Sequence, residues 1–164
     1  MVNADPVQIG QLVMNLVSNA QDATGDDGTV VVSLAQDFVE PGNIVVCSHG
    51  DLKSGGYAVV SVQDDGVGMS ERVASRIFDP FFTTKSDGHG LGLAGVIATV
   101  KGHGGVIDVR SARGVGTTIR VYLPMQGPPV SAQLPVGEDA RSAETPIAST
   151  PSEDEQDARS ISQA

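Results

Sequence analysis

Apolar residues return at helical spacing near the start of the chain, where Ile9, Leu12, Val13, Leu16 and Ala20 fall on one face. Asp5-Pro6 precedes them, an N-cap residue followed by the residue suited to a first helical turn. The spacing therefore predicts a helix running to about Ala23, ended by Gly25 and the Asp27-Gly28 turn. Gln8, Gln11, Asn15, Asn19 and Asp22 keep the same period on another face. Strand-like runs follow at 29–35, 44–48 and 57–63, with Glu40-Pro41-Gly42 and Ser54-Gly55-Gly56 read as turns between them. Ser70 is placed to cap a short helix ending near Phe78. A second long helix is predicted over 91–101, closed by Gly102 and Gly104-Gly105, and then a hairpin pairs 106–111 with 117–123 across 112–116. Helix, strands, helix and hairpin imply a two-layer α/β sandwich, its sheet mostly antiparallel because several connections are short.

Composition divides this picture in two. The 164 residues suffice for one ordinary domain. Trp is absent and aromatic residues make up 4%, so the core must be Val, Leu, Ile and Ala. After Pro124 the character changes. The segment 126–164 is rich in Pro, Ser, Ala, Glu and Asp and is expected to be a disordered acidic tail or linker, leaving 1–125 as the folded domain. The formal net charge is −10, which argues against nucleic acid as a partner. It does not exclude nucleotides, whose phosphates are screened by metal ions and local dipoles. Cys47 is the single cysteine, so no disulfide forms within the chain. No run approaches ~18 apolar residues, so no membrane segment is expected in this chain. These features fit a cytoplasmic location and leave open an anchor elsewhere in a longer parent.

Four strings carry candidate chemistry. Asn15 and Asn19 are four residues apart and share a helical face, and an amide oxygen is a hard ligand for Mg²⁺. Two such amides are also an ordinary solvated face. Asp64-Asp65-Gly66-Val67-Gly68-Met69 follows a strand, so an acid there can accept from an amino group while glycines let a ligand come close. An adenine amino group suits that acid and a guanine oxygen does not, yet the same string is an acidic β-turn. Phe78-Asp79-Pro80-Phe81-Phe82-Thr83-Thr84-Lys85 holds three of the chain's four Phe and reads either as the hinge of a lid or as a hydrophobic plug. Gly88-His89-Gly90-Leu91-Gly92-Leu93 opens a helix whose N–H groups and dipole favour an anion. It follows a loop, unlike a Rossmann fingerprint, and lacks the Gly-Lys-Ser/Thr of a Walker loop.

The order of these strings between Gln11 and Leu93 resembles the GHKL superfamily, and most closely the ATP-binding catalytic domain of sensor histidine kinases. Residues 11–20 are similar to its N box, and Gly114-Val115-Gly116-Thr117-Thr118 to its closing motif, so the resemblance covers roughly 4–124. It implies a Bergerat-type sandwich that binds Mg²⁺ and ATP under a lid. Carried over, Asn19 coordinates Mg²⁺, Asn15 lies near the phosphates and Asp64 holds the adenine amino group. Gly66 and Gly68 shape the base pocket, with Thr117 supporting Asp64 or the base. Lys85 and the segment Gly88, His89, Gly90, Leu91, Gly92 and Leu93 close over the phosphates, with Asn15, Asn19 and Lys85 as the catalytic set.

Departures sharpen the resemblance. ATP-hydrolysing relatives carry Glu where this chain has Asn15, and an amide takes no proton from water at neutral pH, which favours a kinase. Asp22 stands where many members have a cation and is expected to face metal-bound water or a neighbouring base. His89 reads as a surface residue of a short lid. His49, His89 and His103 lack the context of a phosphoacceptor, and the early strand that usually precedes this region is not in the chain. The implied partner is a histidine-bearing dimerisation hairpin, supplied in trans or by a longer parent, with a response-regulator receiver further on. The alternatives are a Ser/Thr kinase of the anti-sigma type and a nucleotide-binding module without turnover.

Overall fold

The computed structural model describes residues 1–85 and 89–126. The expected disordered character of the tail lies outside them from residue 127 onward. The Gln126 N–H donates to Met1 O at 2.8 Å, and the Met1 amino group donates to Gln126 O at 3.0 Å.

Helix α1 spans Pro6–Thr24 and starts as its sequence dictates: Asp5 Oδ1 accepts from the N–H groups of Val7 at 2.8 Å and Gln8 at 3.4 Å. Gly25, at φ 71°, ends it. The elements that follow are β1 (Val30–Val39), β2 (Val45–Cys47), β3 (Gly50–Leu52), β4 (Gly55–Asp64), α2 (Glu71–Ala74), α3 (Gly92–Gly102), β5 (Val106–Ala112) and β6 (Gly116–Pro124). One four-stranded sheet has the order β1-β4-β6-β5, and all three of its pairings are antiparallel. Val2 adds one antiparallel bridge to Met125.

Three local expectations change. β1 is longer than the periodicity suggested because β4 pairs with it from Val30↔Asp64 to Val39↔Gly55. That ladder draws Gly55 and Gly56 into a strand, where a turn was expected. β3 was unforeseen, since three residues are too few for an alternation to register. The helix at Ser70 stops at Ala74 and continues as successive turns, and the Ser70 side chain makes no capping bond.

Alternation sends the strand side chains to two faces. On one face Val62, Ile107, Ile119, Val121 and Leu123 pack against Leu12, Leu16 and Ala20 of α1 and Val96 and Val100 of α3. On the other, Val39, Leu52, Tyr57, Val59, Val106 and Tyr122 form a smaller cluster. The β2–β3 hairpin reaches the outer edge of β5, where the His49 N–H donates to Ile107 O at 3.0 Å and Ser48 Oγ accepts from the Val109 N–H at 3.0 Å. The β1 edge, at the opposite side, exposes Val31 and Leu34. His103, after α3, joins the two helices. Its Nε2 accepts from the Asp5 N–H at 3.2 Å, so its other nitrogen, 2.8 Å from Thr99 O, carries the proton.

Candidate functional site

A cavity of about 610 Å³ opens between α1, the start of α3 and the adjacent ends of β4 and β6. Its floor is apolar, with Leu16, Val62, Met69, Val73, Ile77 and Ile119. Asn19, Asp22, Asp64, Gly68, Lys85, His89, Gly90, Leu91, Gly92, Leu93 and Thr117 all line it. Gly88 lies outside the described residues. Asn15 and Gly66 do not line the cavity and support its walls instead.

At one end stands Asp64, the last residue of β4 and 8% exposed. Its Oδ1 accepts from two backbone N–H groups, Gly66 at 3.0 Å and Thr117 at 3.1 Å. The second of these follows from register, because Asp64 is the cross-strand partner of Thr117. Thr117 thus supports the acid through its backbone, while its hydroxyl lies 2.9 Å from Ser111 Oγ. Ser111 also accepts from the Met69 N–H at 2.8 Å, tying the glycine turn to β5. Nothing in its local sequence marks this serine, and only the β5–β6 pairing brings it to the site.

The glycines of this turn serve two different approaches. A Cβ at Gly66 would sit 2.3 Å from Ala23 O, so this glycine lets the turn pack on the end of α1. Gly68 has φ 59°, and a Cβ there would meet Ala112 O at 1.9 Å. Arg113, which follows Ala112, reaches the cavity wall and was not foreseen.

The other end is built from side chains of α1 and the segment before α3. Asn19 Nδ2 donates to Asn15 O at 2.8 Å, which turns Oδ1 outward. Asn15 Oδ1 accepts from Gln11 Nε2 at 3.1 Å, and Asn15 Nδ2 donates to Gly92 O at 3.4 Å. Asn15 therefore links the two helices. Lys85 Nζ donates to Asn19 Oδ1 at 2.8 Å and to Asp22 Oδ2 at 2.5 Å. Gly92 begins α3, and Leu91, at its N-cap, offers no capping side chain. Gly90, at φ 66°, returns the chain against Phe81, whose N–H donates to Gly90 O at 3.0 Å.

The Phe-rich segment divides its roles. Phe78 is 6% exposed, with the His49 ring at 4.6 Å in an edge-on arrangement. Phe82 packs on the core with the Arg76 guanidinium 4.5 Å above its ring. These two are a plug. Phe81 is 76% exposed and adopts φ 66°, a left-handed conformation unusual for an aromatic residue.

Fold and site together define an α/β sandwich with a cavity between its helices and the end of its sheet. The chain belongs to the histidine kinase-, DNA gyrase B- and HSP90-like ATPase family, which it matches over residues 4–127. It is 40% identical to the sensor histidine kinase ZraS of Klebsiella oxytoca over 126 residues, which is 77% of this chain and 24% of ZraS. It is 37% identical to the sensor kinase CckA of Brucella abortus over 125 residues, 75% of this chain and 13% of CckA. The chain thus spans a quarter or less of these curated relatives. Among solved structures, a mycobacterial sensor histidine kinase, MprB, superposes with a TM-score of 0.58 at 30% identity, covering 75% of this chain and 74% of that one. Full-length ShkA, solved in complex with AMPPNP, superposes with a TM-score of 0.56 at 26% identity, covering 75% of this chain and 22% of its own.

Proposed function

We propose that this chain is the ATP-binding catalytic domain of a two-component sensor histidine kinase, passing the γ-phosphoryl group to a histidine on a dimerisation hairpin outside the chain. The observation that carries the reading is Asp64. This buried carboxylate in the cavity wall commits one oxygen to two backbone donors, and its second oxygen suits the 6-amino group of adenine. The apolar floor matches the faces of a purine. ATP is the nucleotide this acid favours, because guanine would present an oxygen to it. The AMPPNP bound in the ShkA structure supports the same choice of ligand.

In this reading Gly68 and Thr117 shape the base pocket. Lys85, His89 and the backbone from Gly90 to Leu93 surround the phosphates at the start of α3, where free N–H groups and the helix dipole attract an anion. Asn15 holds the two helices at the phosphate end. Asn19 Oδ1, a hard oxygen fixed by its own amide's bond to Asn15 O, fits Mg²⁺ and is the atom that would hold it. When bound, the metal supplies charge neutralisation at the phosphate oxygens. The chain's own work is then positioning, which this kind of transfer chiefly requires. Asn15 stands where ATP-hydrolysing relatives carry Glu, and an amide takes no proton from water at neutral pH, so a protein acceptor is favoured over hydrolysis.

Among the described residues no helix is long and apolar enough to cross a membrane. In the proposed reading the domain works in the cytoplasm, with a response-regulator receiver as a further partner. Labelled ATP with a cognate hairpin domain tests the reading. Acid-labile, base-stable phosphate on the hairpin is the expected result. Acid-stable phosphate would favour a Ser/Thr kinase, and tight binding without transfer a binding module.

A further inference from the structure

The Lys85 ammonium is held by two oxygens of α1, Asn19 Oδ1 at 2.8 Å and Asp22 Oδ2 at 2.5 Å. The two residues are three apart on one helical face, and both line the cavity. Asn19 Oδ1 is aimed there because its amide nitrogen is anchored on Asn15 O at 2.8 Å. One amide oxygen and one carboxylate oxygen therefore converge on a single cation at the phosphate end of the site.

We infer that Asn19 and Asp22 form one cation seat, for which the Lys85 ammonium and the divalent metal of the nucleotide complex compete. The inference rests on the ATP-binding reading above and adds Asp22 and an exchange to it. Amide and carboxylate oxygens are the donors a small hard cation prefers, and such a cation carries twice the ammonium charge. The ammonium is already at contact distance from both oxygens, so the seat takes one cation at a time. The Lys85–Asp22 pair is breakable. Its side chains are 43% and 53% exposed, and solvent screening leaves an ion pair of this kind weak. A metal arriving with the phosphates displaces the ammonium, and Lys85 becomes free to meet phosphate oxygens at the moment they enter. The contact that ties Lys85 to α1 is then transferred to the nucleotide.

The exchange makes an unusual demand on Lys85. A lysine that served only the phosphates would leave the metal requirement unchanged or raise it when removed, whereas a competitor for the seat must lower it. The full chain is titrated with Mg²⁺ at fixed concentrations of a fluorescent ATP analogue, and the metal midpoint is read separately from the affinity at saturating metal. Mn²⁺ binding without nucleotide, followed by electron paramagnetic resonance, provides a second readout. Lys85→Met is expected to lower the metal midpoint about three-fold, the size of a lost exposed ion pair, while weakening the saturated affinity. Asp22→Asn is expected to raise the midpoint about ten-fold, the size of a lost metal-side carboxylate. Thermal unfolding of each variant checks that it is folded. A Lys85→Met midpoint that is unchanged or higher overturns the competition, and an unchanged Asp22→Asn midpoint removes Asp22 from the seat. In both cases ATP binding by the unmodified chain leaves the functional reading standing. Failure of the unmodified chain to bind the analogue at any metal concentration removes both.

Discussion

The two ends of the cavity are made in different ways. At the sheet end, Asp64 is buried and its Oδ1 accepts from two backbone N–H groups set by the β4–β6 register and the glycine turn. At the helix end, Asn19, Asp22 and Lys85 meet through side chains, and the lysine and aspartate are about half exposed. A group oriented by a strand ladder cannot adjust without breaking the ladder, and this suits discrimination between bases. Exposed side chains exchange partners at small cost, which suits the role proposed for this end, the handling of metal and phosphates. In the proposed reading, base selection belongs to the rigid part of the fold, and phosphate and metal handling to the part that can rearrange.

The largest test of that contrast is Gly68→Val. The residue has φ 59°, and its Cβ would lie 1.9 Å from Ala112 O, so the glycine turn must separate from the β5–β6 turn. We expect a loss of about 3 kcal/mol or more of stability in urea unfolding, with ATP binding abolished. A folded variant with normal affinity would show that the sheet end is not rigid.

Asp64→Asn is a smaller and sharper change. The two backbone N–H groups require an oxygen, so the new amide must aim its NH₂ into the cavity, donor against donor at the adenine amino group. Calorimetry should show ATP affinity falling by more than about ten-fold, as for a lost hydrogen bond to a charged group. Equal affinity in the two proteins would remove the acid from the base pocket.

The smallest effect concerns pH. Burial, and secondarily the Lys101 charge, push the His49 imidazole below its ordinary 6.5, while Asp79 pulls the other way. Below about pH 6.5 the unfolded chain therefore binds this proton more readily than the folded one, and stability falls until the lower folded value is passed. Because His49 meets Phe78 edge-on at the base of the Phe-rich segment, acid should loosen the helix end first. His49→Phe should flatten that part of the stability profile between pH 5 and 7.5 in urea titrations, and an unchanged slope would assign it to another group.

Much of this was legible along the chain. The Asp5 cap, the two faces of α1 and the glycine start of α3 are short-range patterns, and each element formed where its pattern predicted it. The extension of β1 and β4 through Gly55-Gly56 was not legible, because glycine reads as a turn until a partner strand supplies the ladder. The two readings of the Phe segment separated only in three dimensions, with Phe78 and Phe82 buried or packed and Phe81 left outside. Ser111 carried no mark at all.

By itself the sequence determined the two long helices, the cores of the main strands and the glycine turn after β4, and which side chains share a face of α1. Those properties depend on neighbours within a turn or two, where spacing acts directly on the backbone. Tertiary structure alone decided that Thr117 donates to Asp64, that Lys85 chooses Asn19 and Asp22, and that the β2–β3 hairpin covers the β5 edge. These partners are separated by tens of residues, and their selection follows from how sheet register and helix packing bring distant segments to the same few ångströms.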